Sequence, residues 1–524
     1  MRESGTKQER ISIPYFEGVN STVQHVIARK TELAHMENAR APIIGVLEKR
    51  QGQTTLGTAP GGGVFETLGN FGLFYFPNEY ATANQGLIRV TTVNGVSCNI
   101  YILNNSDEWV DIALPDSSGM SLSTCDFANV DGNVVIVNGT DENRMVNNDI
   151  TDVSTSSDAG SLFNSPMANK VAFYKSRIYL ADYTPSGGAR LKTTILRSSY
   201  PLGIIALLNE DVTAAESGTW HLPVTDSRYF YTDTGMNVYE IYRGNTLVAT
   251  VTINGYTETE ITATSGNVTF EAGFSSFLSA DEVWVNGTFT GEKQYRWISN
   301  SGSIGRDVKQ YDTFKLVGGD EDGVTMLEPI GNILMIANKN AIMTWNDYNL
   351  ENFDLGVGCS SKNGYTKLKG SLYFLHYSGI YSTSGAMPQL LSRKVERYIR
   401  GATKAGLEEA AAGYKGLSVF FTIGDVTLYN NDGSIWKVLP DVCLEFNVAD
   451  QNWYVHTNVV STQFETFVDT LGAERLAMCS LTASQPPTYG PELITNGSFT
   501  GSASGWTLGA GWAYGDNDAV FNNP

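Results

Sequence analysis

Few side chains in this 524-residue sequence stand where they could react together. The five histidines are scattered: His25 and His35 lie in a polar N-terminal stretch, His221 far downstream, His376 in a turn and His456 after an apolar run. No HExxH pair, Walker loop, Gly-x-Ser-x-Gly elbow or Cys-x-x-Cys pair occurs, so metal-assisted hydrolysis, phosphate handling and acyl transfer all lack their residues. The acidic stretch Gly319-Asp320-Glu321-Asp322-Gly323 reads as a solvated turn, since neither EF-hand spacing nor a partner acid accompanies it. Three aromatic residues near the C-terminus offer binding instead of catalysis. Trp506, Trp512 and Tyr514 sit among neutral Asn, Ser and Thr residues, a composition that can hold a sugar face against flat rings. The competing reading places both tryptophans in the core of a small sandwich. These three are the candidate glycan contacts. No catalytic residue, metal ligand or cofactor is expected, and the chain reads as a non-enzyme.

Charge narrows the partners. Asp and Glu number 55 against 35 Lys and Arg, a formal charge of −20. Binding DNA by neutralising phosphates needs basic patches, so a sequence-reading DNA protein is excluded. The five cysteines, Cys98, Cys125, Cys359, Cys443 and Cys479, are dispersed and odd in number, which predicts free buried thiols made in a reducing cytoplasm. The opening MRESGTKQER lacks the apolar core of a signal peptide. No apolar run approaches the ~20 residues of a membrane helix.

Whatever positions these residues is built from strands. Charged residues are only 17% of the chain while Gly reaches 53, and aromatics make up 11%, a composition that suits short strands and tight turns better than helices. One pattern recurs, an apolar β run, a polar turn and a second β run. It reads GNVVIVNGTDENRMV, KSRIYLADY, GNILMIANKNAIMTW, KGSLYFLHYSGIYSTSG and KGLSVFFTIGDVTLYNN. The first runs begin at Val134, Arg177, Ile333, Leu372 and Leu417, with gaps of 43, 156, 39 and 45. Three gaps match the ~40–50 residues of a four-stranded propeller blade. A plain β-sandwich leaves that longer period unexplained. The expected turns are Asn338-Lys339-Asn340, Tyr377-Ser378-Gly379 and Ile423-Gly424-Asp425. CLEFNVADQNWYVHT adds a further strand pair.

The fold class predicted is all-β: a propeller of about six four-stranded blades with an inserted β-domain and a partial, sandwich-like C-terminal segment. Residues 1–60 form an N-terminal arm, 61–209 the first part of the propeller and 301–481 the second. Between them, 210–300 is the insertion, because YRGNTLVATVTINGYTETEITATSGNVTF alternates polar and apolar residues like strands wet on one face. Asn254-Gly255 is a type I′ hairpin signal within it. SRKVERYIRG and ATKAGLEEAAAGY predict a short helical crossover between two blades. Residues 482–490 form a Pro/Ser linker, and 491–524 begin something new.

At two places the residues resemble known families. The run FEGVNSTVQHVIARKTELAHMENARAPIIGVLEKRQGQ contains Glu37-Asn38-Ala39-Arg40 and Gly45-Val46-Leu47-Glu48-Lys49-Arg50. It resembles the opening of tail hub and nozzle (tail tubular, DNA-stabilisation-type) proteins of short-tailed bacteriophages, as do residues 358–385, LLSRKVERYIRG and NVADQNWYV. The resemblance implies a virion structural protein in the tail, made in the bacterial host cytoplasm. It implies a homo-oligomeric ring, commonly a hexamer, joining the portal and adaptor to distal tail parts or fibres. Genomic DNA would pass through it without specific binding, and an acidic lumen suits that passage because it repels phosphate. ELITNGSFTGSASGWTLG resembles the start of galactose-binding-like carbohydrate modules through Leu493, Asn496, Gly497, Phe499, Gly505 and Trp506. It is far shorter than such a module. This gives the alternative expectation, a receptor- or glycan-binding tail protein on a propeller scaffold. Asn431-Asp432-Gly433-Ser434-Ile435-Trp436 resembles a sialidase Asp-box but misses the spacer between Asp and Gly, so a propeller glycosidase is the weakest reading.

Overall fold

A computed structural model of the chain describes residues 56–58, 70–77, 84–92, 96–112, 119–147, 153–155, 165–185, 188–198, 204–225, 230–232, 237–257, 259–286, 313–315, 323–346, 349–353 and 356–479. It adds the backbone of the strands at 39–43, 46–49, 512–515 and 518–521. The chain divides into two units, one holding nearly everything up to Thr482 and a second centred on Ala483–Pro524.

Among the described residues, six four-stranded antiparallel sheets follow one another in the first unit, each laid down as a meander from inner to outer strand. Blade 1 comprises Asn70–Tyr75, Asn84–Thr92, Cys98–Asn104 and Trp109–Ile112; blade 2, Asp126–Val130, Asn133–Val137, Arg144–Val146 and Val153–Thr155. Blade 3 takes Met167–Tyr174, Arg177–Thr184 and Leu191–Arg197, and its fourth strand, Thr313–Lys315, arrives only after the insertion. Blade 4 comprises Met326–Ile330, Ile333–Ala337, Ile342–Trp345 and Leu350–Asn352; blade 5, Tyr365–Leu368, Ser371–His376, Gly379–Thr383 and Gln389–Leu390. Blade 6 comprises Ala412–Lys415, Ser418–Tyr429, Ile435–Asn447 and Asn452–His456. A two-stranded hairpin, Gln463–Val468 with Glu474–Cys479, makes a seventh sector.

The apolar residues explain why these sheets assemble radially. Each blade buries both faces, so each junction between neighbours is a separate small core. Val90 and Ile100 of blade 1 pack with Val134 and Val146 of blade 2, and Val135 and Val137 with Ile178 and Leu180 of blade 3. Tyr179 and Ile195 meet Leu334 and Ile336 of blade 4, while Met335 and Ile342 meet Leu372 and Phe374 of blade 5. Leu375 and Ile380 pack with Val419 and Phe421 of blade 6, and Cys443 with Phe464 of the hairpin. Phe467 and Cys479 then close on Leu73 and Leu103 of blade 1. The body is a closed β-propeller of seven sectors. Each apolar residue contributes by leaving water, roughly 25 cal/mol per Å². All five cysteines are buried and free, as their dispersal predicts.

The insertion starts at Ile204, ahead of the expected position 210. Its first strand, Ile204–Leu207, pairs with Glu282–Val285 at the edge of a five-stranded sheet. A three-stranded sheet of Thr219–Pro223, Gly255–Tyr256 and Glu260–Thr264 covers it, and the two enclose their own core around Leu222, Ile241, Val251 and Phe277. Asn254-Gly255 is not a hairpin turn. Neither residue has positive φ, and the chain there passes from the larger sheet to the smaller.

Between blades 5 and 6 lie the short helices α1 (Glu396–Gly401) and α2 (Lys404–Glu408). Tyr398, Ile399 and Leu407 seat them on blade 6. They are the expected crossover. Beneath them the two central strands of blade 6 run far beyond their neighbours, because Ile423-Gly424-Asp425 does not turn the chain. Gly424, at φ +70°, makes a bulge that lets the strand continue to Tyr429. The actual turn is Asn430–Ser434, and CLEFNVADQNWYVHT completes the same blade. Asn338 does hold the turn after blade 4's second strand, its Oδ1 accepting the Asn340 and Ala341 amides.

In the second unit, Trp512–Gly515 pairs with Asp518–Phe521.

Candidate functional site

Among the described residues, the histidines singled out from the sequence stand in different elements. Trp512 and Tyr514 lie on the strand Trp512–Gly515, opposite Phe521 and Ala519. Trp506, His25, His35 and Asp320–Asp322 fall outside the described residues. His221 is exposed beside Glu260 at 2.9 Å, on the insertion. His376 is buried, and loss of water drives its pKa down to about 4. Its Nδ1 accepts the Ser378 amide at 3.2 Å, so it is a neutral hydrogen-bond acceptor in a turn. His456 lies in blade 6 with Nε2 2.8 Å from Glu445, both closed off from solvent. No group of three or more His, Cys, Asp or Glu able to hold a metal occurs among the described residues. Asp432, of the near-Asp-box, accepts from the Ser434 amide at 2.9 Å and hydroxyl at 2.6 Å, and so serves its own turn.

A polar cluster lies on the inner strands of blades 2, 3 and 5. Lys170 on blade 3 is 1% exposed, and its Nζ meets Asp126 Oδ1 of blade 2 at 2.8 Å. The same ammonium donates to the Lys362 carbonyl at 2.8 Å and the Tyr365 hydroxyl at 3.3 Å, reaching blade 5. Asp126 also accepts the Val171 amide at 2.9 Å. Lys362 donates to Asn169 at 2.6 Å, Asn169 to Asp182 at 2.8 Å, and Arg190 grips Asp182 with two bonds of 2.6 Å. Burial, with Lys170 close by, lowers the Lys362 pKa to about 8. Glu328 is raised by burial although Lys367 sits 2.6 Å away, and burial pushes Glu465 up to about 8.

Such perturbed groups often mark catalytic sites. Here each cation named has a partner holding it, and the bonds tie blades 2, 3 and 5 together across the centre. An ammonium so enclosed is stable only with this pairing. The cluster acts as a fastener. An open cleft of ≈530 Å³ lies between blade 1 and the closing hairpin, beside Gln85 and Asp469. Gln85 is bonded to Asp107 at 2.7 Å and Asp469 to Arg475 at 2.8 Å, leaving no acid–base pair aimed into it.

A surface that can do something intermolecular stands on blade 6. Beyond the bulge, Val426 and Leu439 pair across the ribbon and bury against the helices, as alternation requires. The opposite face should be polar. It carries Val438, Ile435 and Tyr429, exposed by 55%, 62% and 53%. Trp436 is 44% exposed at the rim, with the Arg397 guanidinium 4.7 Å from its ring centre. Arg397 also donates to the Tyr429 carbonyl at 2.7 Å, fixing α1 to the ribbon. Ser392 to Lys404 carries five basic residues, Arg393, Lys394, Arg397, Arg400 and Lys404, against one Glu; Arg397 meets the ribbon, while Arg400 pairs with Glu396 and Lys404 with Glu408. An exposed apolar patch with Arg397 at its rim stands out on an acidic chain, and such patches mark interaction sites.

No protein-family model matches the chain, and no curated protein does. Among solved structures, BamB from Moraxella catarrhalis matches at 8% identity over 73% of this chain and 95% of its own, TM-score 0.24. Sqt1 of Saccharomyces cerevisiae matches at 10% over 75% and 96%, TM-score 0.27. A europium-containing methanol dehydrogenase matches at 9% over 79% and 84%, TM-score 0.26. These likenesses carry no function to this chain, and the propeller architecture stands on its own sheets and junctions.

Proposed function

We propose that this chain is a non-enzymatic structural component of a short-tailed bacteriophage tail, a hub- or nozzle-type subunit that assembles into a closed homo-oligomeric ring. The observation that carries the reading is the exposed apolar ribbon of blade 6 with its basic rim, which calls for a protein partner on an otherwise acidic chain. The fastened centre supports it too. With Lys170, Asp126 and Tyr365 bonded across the middle, a DNA duplex has no passage through one subunit. The channel would lie between copies, where the net charge of −20 keeps phosphate from sticking. The motif of Asn38, Arg40 and Gly45–Arg50 supports the family, with portal, adaptor and fibre proteins as the neighbours. Sedimentation of the purified chain tests the reading. A single closed oligomer whose size stays fixed as concentration rises is expected; a monomer at all soluble concentrations contradicts it.

A further inference from the structure

The ribbon of blade 6 needs a complement, and the inserted sandwich carries one. Between Ile204 and Asn286 the inserted sandwich has eleven acidic residues against two arginines. At one corner, Leu207 and Leu278 are exposed by 38% and 37%, beside the exposed Glu210 and Asp211. That corner is well held. The Leu208 amide donates to the Asp281 carbonyl at 2.9 Å, the Ser279 amide to Asp211 Oδ1 at 2.6 Å, and Arg243 clasps buried Asp281 with two bonds of 2.8 Å. It therefore presents apolar side chains with an acidic rim on a rigid frame. The ribbon presents apolar side chains with Arg397 and Lys437 beside them; its acids Asp425 and Asp441 lie back at the bulge, and Asp432, like Asp211 on the sandwich, accepts a nearby amide.

The two surfaces belong to different sectors. The sandwich is inserted in blade 3 and the ribbon belongs to blade 6, three sheets later in the chain. Neighbouring copies can bring the two together. Two unlike, complementary patches on one subunit form a heterologous, head-to-tail contact, which closes into a ring when the rotation allows. We infer that the ribbon of each copy, through Tyr429, Ile435, Trp436 and Val438 with Arg397 and Lys437, docks on the Leu207–Asp211 and Leu278 corner of the next copy's inserted sandwich. This rests on the ring reading above and names the contact that makes the ring. Apolar centres with opposite charges at the rim give affinity from burial and register from charge.

Mixing two crippled full-length chains tests the contact. One carries Ile435→Asp and Val438→Asp on the ribbon, the other Leu207→Lys and Glu210→Lys on the sandwich. All four sites are exposed, and thermal melting checks that each variant folds as the wild type does. Each variant alone is expected to be monomeric, with self-association weakened at least ~30-fold. Mixed one to one, they should form a dimer of one copy each and stop there, since only one intact interface remains. Ring formation by either variant alone overturns the contact and leaves the ring reading standing. A wild-type chain that is monomeric throughout overturns both. Ribbon-dependent retention of the wild type on duplex DNA, with self-association unchanged in the ribbon variant, assigns the basic rim to a polyanion and also overturns the proposal.

Discussion

Lys170 shows how a single residue is fixed by fold more than by its neighbours in sequence. Its ammonium is enclosed by Asp126, the Lys362 carbonyl and Tyr365, which lie up to 195 positions away. Removing one partner of such a buried pair strands a charge, whereas replacing both by apolar groups need not. Asp126→Ala is therefore expected to lower unfolding free energy by roughly 3–5 kcal/mol. Adding Lys170→Met to it should restore most of that loss in urea titrations. Nothing in the spacing of Asp126, Lys170 and Lys362 announces the cluster, because only closure of the propeller brings them together. Glu465 gives a pH prediction. Burial raises its folded pKa to about 8, above that of the unfolded chain, so its contribution is complete below the ordinary carboxylate range and is lost as pH rises toward 8. Glu465→Gln should melt like the wild type near pH 4 and progressively higher than it as pH approaches 8. Equal melting curves at both ends would show that Glu465 titrates normally.

Among elements, the closing hairpin is the one on which the propeller's continuity depends. A Cβ on Gly413 of blade 6 would come within 2.3 Å of the Phe464 Cβ in the hairpin, and the φ of Gly413 is not positive, so the constraint is steric. Gly413→Ala is expected to cost about 1–3 kcal/mol by overpacking the last junction, read in urea midpoints. The strand pattern was partly legible. Val134, Arg177, Ile333, Leu372 and Leu417 mark the second strands of five blades, or the residue before, because second strands are buried on both faces and read as apolar runs. The inner strands escaped notice because polar side chains interrupt them: Asp126 and Asn129 in blade 2, Lys367 in blade 5 and Lys415 in blade 6. The gap of 156 holds the inserted sandwich, whose first strand, Ile204–Leu207, begins ahead of the composition change near 210. Gly424 misled most, since a glycine between β runs signals a turn and here serves a bulge. That misreading hid the ribbon, and with it the surface argued to carry assembly.

At the scale of the molecule, acidity and the apolar ribbon belong to one argument. A subunit of net charge −20 repels its own copies unless specific contacts overcome the repulsion, and the basic segment Ser392–Lys404 is placed where it can do so. Rim charges are screened, so assembly should weaken as salt rises while the apolar centre keeps it from vanishing. The all-β propeller fold was legible from composition and period. The exposed ribbon was not, because exposure of Ile435 and Val438 depends on which strands run past their neighbours. On the proposed reading, copies close into a ring around a channel that no single copy provides. Negative-stain imaging of the purified chain decides this. Closed rings are expected, commonly sixfold, with stain filling a hole between subunits and none through each propeller. Single propellers of one-subunit mass, with no ring at any concentration, would contradict it.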